Sequence, residues 1–215
     1  MRQHVLRNKE KIIEENRGYI AAEPKMLKGR WHSLFSDAYK DSPLYIEIGS
    51  GKGQFIVSTA LANPERIYLA CEGAVNVYPR ILQKAGAMEL KNLRLISEYI
   101  IDPADYFERG ELAGVYLNFS DPWPKERHAH RRLTHVSKLL AYKKIMAEGT
   151  TLEFKTDNDA LFEFSLEQAK LADLKCERVV RDLHSSDLAK SNIETEYEQK
   201  FAAYGKTINY LKIVF

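Results

Sequence analysis

Apolar and polar positions follow two rhythms along this chain. Short, mostly apolar runs rich in branched side chains alternate with longer segments in which apolar residues recur every helical turn. The short runs predict strands at 44–48, 66–71, 93–97, 114–119 and 151–155. The longer segments predict helices at 54–62, 74–90, 133–147 and 159–171, with a short helix around 104–109. Two further β-rich stretches, 176–181 and 207–215, flank a helical segment around 196–204. Residues 1–40 read as a basic, partly helical extension, and residues 41–215 as one domain. Strands alternating with helices form βαβ units around a mainly parallel sheet. Five such units and two late strands predict a doubly wound, mostly parallel seven-stranded α/β sheet whose final strand pairs antiparallel. Ligands of such sheets bind beyond the carboxyl ends of the strands, where strand order reverses. That rule directs attention to the turns after the first, second and fourth strands.

Composition changes this picture little. Of 215 residues, 45% are hydrophobic and 29% charged, the balance of a globular chain. No apolar run approaches the roughly 18 residues of a membrane span. The polar N-terminus resembles no secretory leader, so a cytoplasmic protein without a membrane partner is expected. Cys71 and Cys176 stand too far apart for a metal or redox motif and are expected to be reduced. The charge distribution is more informative than its sum of +2. Residues 1–30 carry eight Lys/Arg against four Asp/Glu, and residues 121–145 carry seven against two, with three of the six histidines. Two concentrated basic segments in a near-neutral chain suit a polyanionic partner, though solvated helical faces would look similar.

The first turn reads Glu47-Ile48-Gly49-Ser50-Gly51-Lys52-Gly53. A phosphate-binding loop would need Gly at Ile46 and Ser or Thr at Gly53, so that motif fails twice. The dinucleotide fingerprint fails at Gln54, where a third spaced Gly belongs. A loop that admits an adenosyl-amino-acid body without phosphates fits better, which points to S-adenosylmethionine. Glu72 follows the second strand, 21 residues after Gly51, where a carboxylate can accept ribose hydroxyls.

The turn after the fourth strand reads Leu117-Asn118-Phe119-Ser120-Asp121-Pro122-Trp123-Pro124-Lys125. Its two prolines stiffen the backbone that carries Asp121 and Trp123. A ring beside a carboxylate suits a flat nucleobase. Arg127, His128, His130, Arg131 and Arg132 follow directly, spaced to approach a phosphate backbone. His128 and His130 lack a third ligand nearby, so no metal is expected.

This run, continued through Leu133-Thr134, resembles the signature of the bacterial tRNA (guanine-N7)-methyltransferases. Phe154-Lys155-Thr156-Asp157-Asn158 and Thr195-Glu196-Tyr197-Glu198-Gln199-Lys200-Phe201 resemble two further motifs of that family, and the likeness runs from about residue 44 to 204. The resemblance implies the class I S-adenosylmethionine-dependent methyltransferase fold. It also implies methylation of a guanine in the variable loop of tRNA. It assigns Glu47, Gly49, Gly51, Gly53 and Glu72 to the cofactor, and Asp121 to the cofactor or to catalysis. Lys125, Asp157, Thr195, Glu196, Tyr197 and Glu198 fall at substrate-binding positions. Arg127, His128, His130, Arg131 and Arg132 fall on an RNA-contacting strip. Where the family usually carries Asp after the third strand, near the adenine, this chain has Tyr99 preceded by Glu98. Either Glu98 takes over or packing holds the adenine. His130 stands where Lys is common in that family.

Guanine N7 carries no proton. No strong general base is therefore required, and Asp121 is expected to orient the base and favour its developing positive charge. The base is expected to flip out of the folded tRNA. Asp157 and segment 195–198 would then clamp it, or instead serve as helix caps. Leu161, Phe162 and Phe164 are assigned to the core. The alternatives are a small-molecule methyltransferase, which needs no basic strip, and a non-catalytic RNA-binding protein. Both monomer and homodimer remain open.

Overall fold

A computed structural model describes residues 8–202 and 204–215. Seven strands form one sheet: β1 Leu44–Ile48, β2 Ile67–Cys71, β3 Leu93–Ile96, β4 Leu112–Asn118, β5 Met146–Thr156, β6 Lys175–Val180 and β7 Asn209–Val214. Their order is β3-β2-β1-β4-β5-β7-β6. The first five run parallel, and β7 lies antiparallel between β5 and β6. Strand order reverses between β1 and β4, which pair through Glu47 and Tyr116. This is the expected doubly wound sheet.

The helices are α1 Lys9–Glu15, α2 Gln54–Ala62, α3 Pro79–Ala87, α4 Val136–Ile145, α5 Asp159–Leu171 and α6 Glu196–Ala202. Every residue of β2 is buried, as expected of a strand covered on both faces. Side chains alternate between the faces. Ile46, Leu69, Val115, Leu117 and Phe154 enter one core cluster with α4 and α5. Tyr68, Ala70 and Tyr116 enter the other with α2 and α3.

Three expected elements differ. The helix expected over 74–90 begins only at Pro79, whose ring suits a first helical position. Residues 74–78 form turns in which Val77 and Tyr78 both donate to the Ala74 carbonyl. The helix expected over 133–147 gives way at Met146, whose extended backbone (φ −78°, ψ 143°) starts β5. Met146 pairs with Leu112, so the strand captures the last large apolar residue of the helical pattern. Around 104–109 there is only one 3₁₀ turn, Pro103–Asp105, capped by Asp102.

Residues 8–40 fold onto the sheet edge at β3. Ala21 N–H donates to Leu95 O at 2.9 Å. Trp31 is fully buried. Its indole stacks on Phe107 and donates to Tyr106 O at 2.9 Å. Two of the basic residues are spent internally, Lys25 on Asp105 and Lys28 on Ala104 O. Leu161 and Phe162 lie in the core as expected, but Phe164 is half-buried. It sits at the core's edge because the Arg132 guanidinium covers its ring, 4.2 Å from the centroid.

Candidate active site

The turn after β1 opens the site. Gly49 and Gly53 have φ of 80° and 79°, a region hostile to side chains. A Cβ at Gly53 would also meet Ile81 Cγ1 at 2.8 Å, so α2 and α3 approach closely only with glycine here. Glu72 fixes the loop from below. Its carboxylate accepts from Gly51 N–H at 3.0 Å and Ala74 N–H at 2.9 Å, tying together the turns after β1 and β2.

A cavity of about 530 Å³ lies over this loop. Of the residues singled out in the sequence, Glu47, Gly49, Gly51, Gly53, Thr195, Glu196 and Tyr197 line it together. Glu47 forms part of the floor and is 2% exposed. Its Oε1 accepts from Asn118 Nδ2 at 2.7 Å, whereas its buried Oε2 has no partner among the described residues. Burial pushes the Glu47 carboxyl up to about 7, against the lowering pull of Asn118, Ser50 and Lys155.

The far wall is the start of α6. Thr195 and Glu198 form a reciprocal capping box: Glu198 N–H donates to Thr195 Oγ1 at 2.9 Å, and Thr195 N–H to Glu198 Oε2 at 3.3 Å. Glu198 is fully buried. It also accepts from Lys155 Nζ at 3.1 Å and Asn192 Nδ2 at 2.6 Å, and pairs with His184 Nε2 at 2.9 Å. Burial pushes its carboxyl up, but Lys155 and these hydrogen bonds prevail and hold it below the usual carboxylate range. Lys155 donates as well to Asn192 Oδ1 and Ile193 O, so one ammonium on β5 anchors the whole approach to α6. Glu196 instead crosses the cavity mouth to Lys84 at 2.6 Å and Lys52 at 3.5 Å. Tyr197 stacks on Phe201, packs against Phe119 and donates to Asp157 Oδ2 at 3.2 Å. Asp157 also accepts from Lys206, and Asn158, rather than Asp157, caps α5.

The other expected residues lie outside the cavity lining. Asp121 is exposed, two residues beyond Phe119, which does line the cavity. Tyr99 is 69% exposed, and its ring lies against Gly73, where a Cβ would come within 2.5 Å. The Glu98 carbonyl accepts from Cys71 Sγ at 3.3 Å. Lys125, Arg127, His130 and Arg131 are exposed, and His128 is half-buried. Arg131 and His128 flank Trp123, the first by a cation–π contact at 4.9 Å and the second edge-on at 5.8 Å. Arg132 departs from the expected exposed strip. It is 8% exposed and turned inward, because its guanidinium satisfies the Pro122 and Trp123 carbonyls.

A family model described as "Putative methyltransferase" matches residues 41–211. The tRNA (guanine-N(7)-)-methyltransferase of Latilactobacillus sakei subsp. sakei is 45% identical over 92% of this chain and 91% of its own length. Its namesake from Listeria monocytogenes is 44% identical over 94% and 93%. That from Streptococcus equi subsp. zooepidemicus is 41% identical over the full length of both chains. The chain belongs to the tRNA (guanine-N7)-methyltransferase family. Among solved structures, the 16S rRNA methyltransferase KamB superposes with a TM-score of 0.62 at 14% identity, over 84% of this chain and 94% of its own. The 16S rRNA (adenine(1408)-N(1))-methyltransferase of Catenulisporales acidiphilia (W203A mutant, with cosubstrate SAM) gives 0.55 at 16% identity, over 90% and 92%. At that identity these two share the fold.

The cavity of this family member fits S-adenosylmethionine. Its volume suits an adenosyl-amino-acid body, and a Cβ at Gly49 or Gly51 would meet only open space. Glu47 Oε2 is a buried acceptor lacking a donor among the described residues, and the cofactor's ammonium is a donor of the right kind. Asn118, Lys155, His184 and Asn192 were not assigned roles from the sequence. A polar residue ending an otherwise apolar strand was the available signal for Asn118; Lys155, its partner in register, lies in a strand of mixed polarity and carried no such signal. His184 and Asn192 lie in an irregular segment whose sequence carries no comparable pattern.

Proposed function

We propose that this protein transfers a methyl group from S-adenosylmethionine to N7 of a guanine in the variable loop of tRNA. The observation that carries this reading is the joint construction at the sheet's reversal point. The Glu47 cavity opens after β1, and the Asp121 turn and the basic strip follow the neighbouring strand β4. A small-molecule enzyme would need the first of these without the last. A tRNA substrate also accords with action in the cytoplasm.

The cofactor, when bound, supplies an electrophilic methyl group. Glu47, the loop 49–53 and Glu72 would hold it, with Glu98 and Tyr99 toward the adenine. Because guanine N7 is unprotonated, no residue need remove a proton there. Asp121 orients the base and stabilises the positive charge that methylation places on the ring. Tyr197, with its hydroxyl on Asp157, offers an aromatic face for a flipped base. Glu198 holds that face in place from beneath, and Thr195 caps it. Lys125, Arg127, His128, His130 and Arg131 grip phosphates. Alignment of the reacting atoms supplies most of the acceleration.

The test is transfer of labelled methyl from S-adenosylmethionine to unmodified tRNA, with free guanosine in parallel. Transfer to tRNA alone is expected. Transfer to guanosine at a comparable rate would favour a small-molecule enzyme instead.

A further inference from the structure

The turn carrying Asp121 is not a relaxed loop. Phe119 and Trp123, on either side of Asp121, have φ of 52° and 40°, where non-glycine residues are disfavoured. Pro122 and Pro124 have no N–H to donate. Among the described residues, no backbone N–H of 120–125 makes a main-chain hydrogen bond. A strained turn persists only when its surroundings hold it.

Arg132 does the holding. Its Nε donates to Pro122 O at 3.0 Å and its terminal nitrogen to Trp123 O at 3.1 Å. The guanidinium lies on the Phe164 ring of α5, 4.2 Å from its centroid. Among the described residues it has no carboxylate partner, although it is 8% exposed. Burying a cation on carbonyl oxygens alone is costly, and the planar fork of arginine is what lets one side chain take two neighbouring carbonyls. Its neighbour Arg131 does the opposite, lying exposed over the Trp123 ring. Adjacent arginines thus divide the work between the two sides of the turn.

We propose that Arg132 is a positioning residue for methyl transfer, locking the Pro122–Trp123 peptide so that Asp121 is presented in a fixed geometry, and does not contact RNA. The proposal rests on the reading of Asp121 given above.

The experiment compares Arg132→Lys, Arg132→Gln, Arg131→Ala and Asp121→Asn in the full chain. Lysine keeps the charge but cannot reach both carbonyls as a planar fork. For Arg132→Lys, the single-turnover rate at saturating tRNA and cofactor should fall toward the ~10²-fold loss that a 1 Å misplacement produces. Its tRNA affinity should match the parent, and in Arg132→Gln, which removes the charge, the slope of affinity with log salt should also match the parent. Acrylamide quenching reads the turn directly. Trp31 is fully buried, so the quenchable signal comes from Trp123 and should rise in Arg132→Lys. Phe164→Leu, which removes the stack and leaves the hydrogen bonds, should move rate and quenching the same way by less. It serves in place of Arg132→Lys should that variant not fold. A salt slope reduced by about 0.7–0.9 in Arg132→Gln would make Arg132 a phosphate contact and overturn the proposal. Parent-like quenching would show that the turn holds itself and would overturn it too. If Asp121→Asn turns over at the parent rate, the reading of Asp121 fails, while the quenching result still decides whether Arg132 braces the turn.

Discussion

Asn118 Nδ2 donates to Glu47 Oε1 at 2.7 Å, across the point where the sheet reverses direction. The bond satisfies one oxygen of a buried carboxylate, and among the described residues the other has no donor. Burial accordingly raises the Glu47 carboxyl from its ordinary 4.5 to about 7. Between those values the unfolded chain releases a proton that the folded chain keeps, so stability falls as pH rises through that window and levels off above it. The full effect is roughly 3 kcal/mol. Glu47→Gln should flatten this dependence, stabilise the protein above neutral pH and weaken cofactor binding. Urea unfolding on either side of the window checks the first two effects, and calorimetric titration with S-adenosylmethionine the third. An unchanged pH slope would mean that Glu47 is ionised throughout.

Asp121 is exposed and meets no donor among the described residues, so its replacement should disturb little else. Asp121→Asn should cut turnover by two or more orders of magnitude, a loss of about 3 kcal/mol or more in the transition state. Its affinity for tRNA should be preserved. Measuring the dissociation constant and the single-turnover rate on the same preparation separates the two effects. Unchanged turnover would remove Asp121 from the chemistry.

Affinity for tRNA should fall linearly with log salt, and Arg131→Ala or Arg127→Ala should each reduce the slope by about 0.7–0.9. Lys25 and Lys28 are committed to Asp105 and the Ala104 carbonyl, so their removal should change the slope less than removal of either arginine. Filter binding across a salt series decides this. A salt-independent affinity would contradict a phosphate grip by the strip.

Lys155 and Glu198 are a buried pair at 3.1 Å, with the remaining capacity of both groups taken by Asn192, Ile193, His184 and Thr195. Breaking such a pair from one side leaves an uncompensated charge, so Lys155→Met should destabilise by roughly 3–5 kcal/mol. Adding Glu198→Gln should recover a substantial part of that loss. Thermal or urea unfolding of the three variants forms a double-mutant cycle. Strictly additive effects would show that the two groups do not interact.

Strands β1 to β4 were legible because they are short, mostly apolar runs with turn residues nearby. The expected 44–48, 54–62 and 159–171 coincide with β1, α2 and α5. The seam at Met146 was not legible, because a helix that runs straight into a strand leaves no Gly or Pro to mark it. Glu47 stood out as an acid at the end of an apolar strand. The partners of Glu198 did not, since Lys155 and His184 reach it from 43 and 14 positions away. Arg132 shares its charge and neighbourhood with Arg131, and only burial separates their roles.

The most direct test of the whole account places 7-deazaguanine at the target site of the tRNA variable loop and measures methyl transfer beside the unmodified RNA. Replacing N7 by carbon removes the attacked lone pair and leaves the shape of the base nearly unchanged. Transfer to the natural tRNA with none to the deaza form is the predicted result. Equal transfer to both would place the methyl on another atom or at another site, and would contradict the reading of the cavity, the Asp121 turn and the basic strip as one guanine-N7 methylation site.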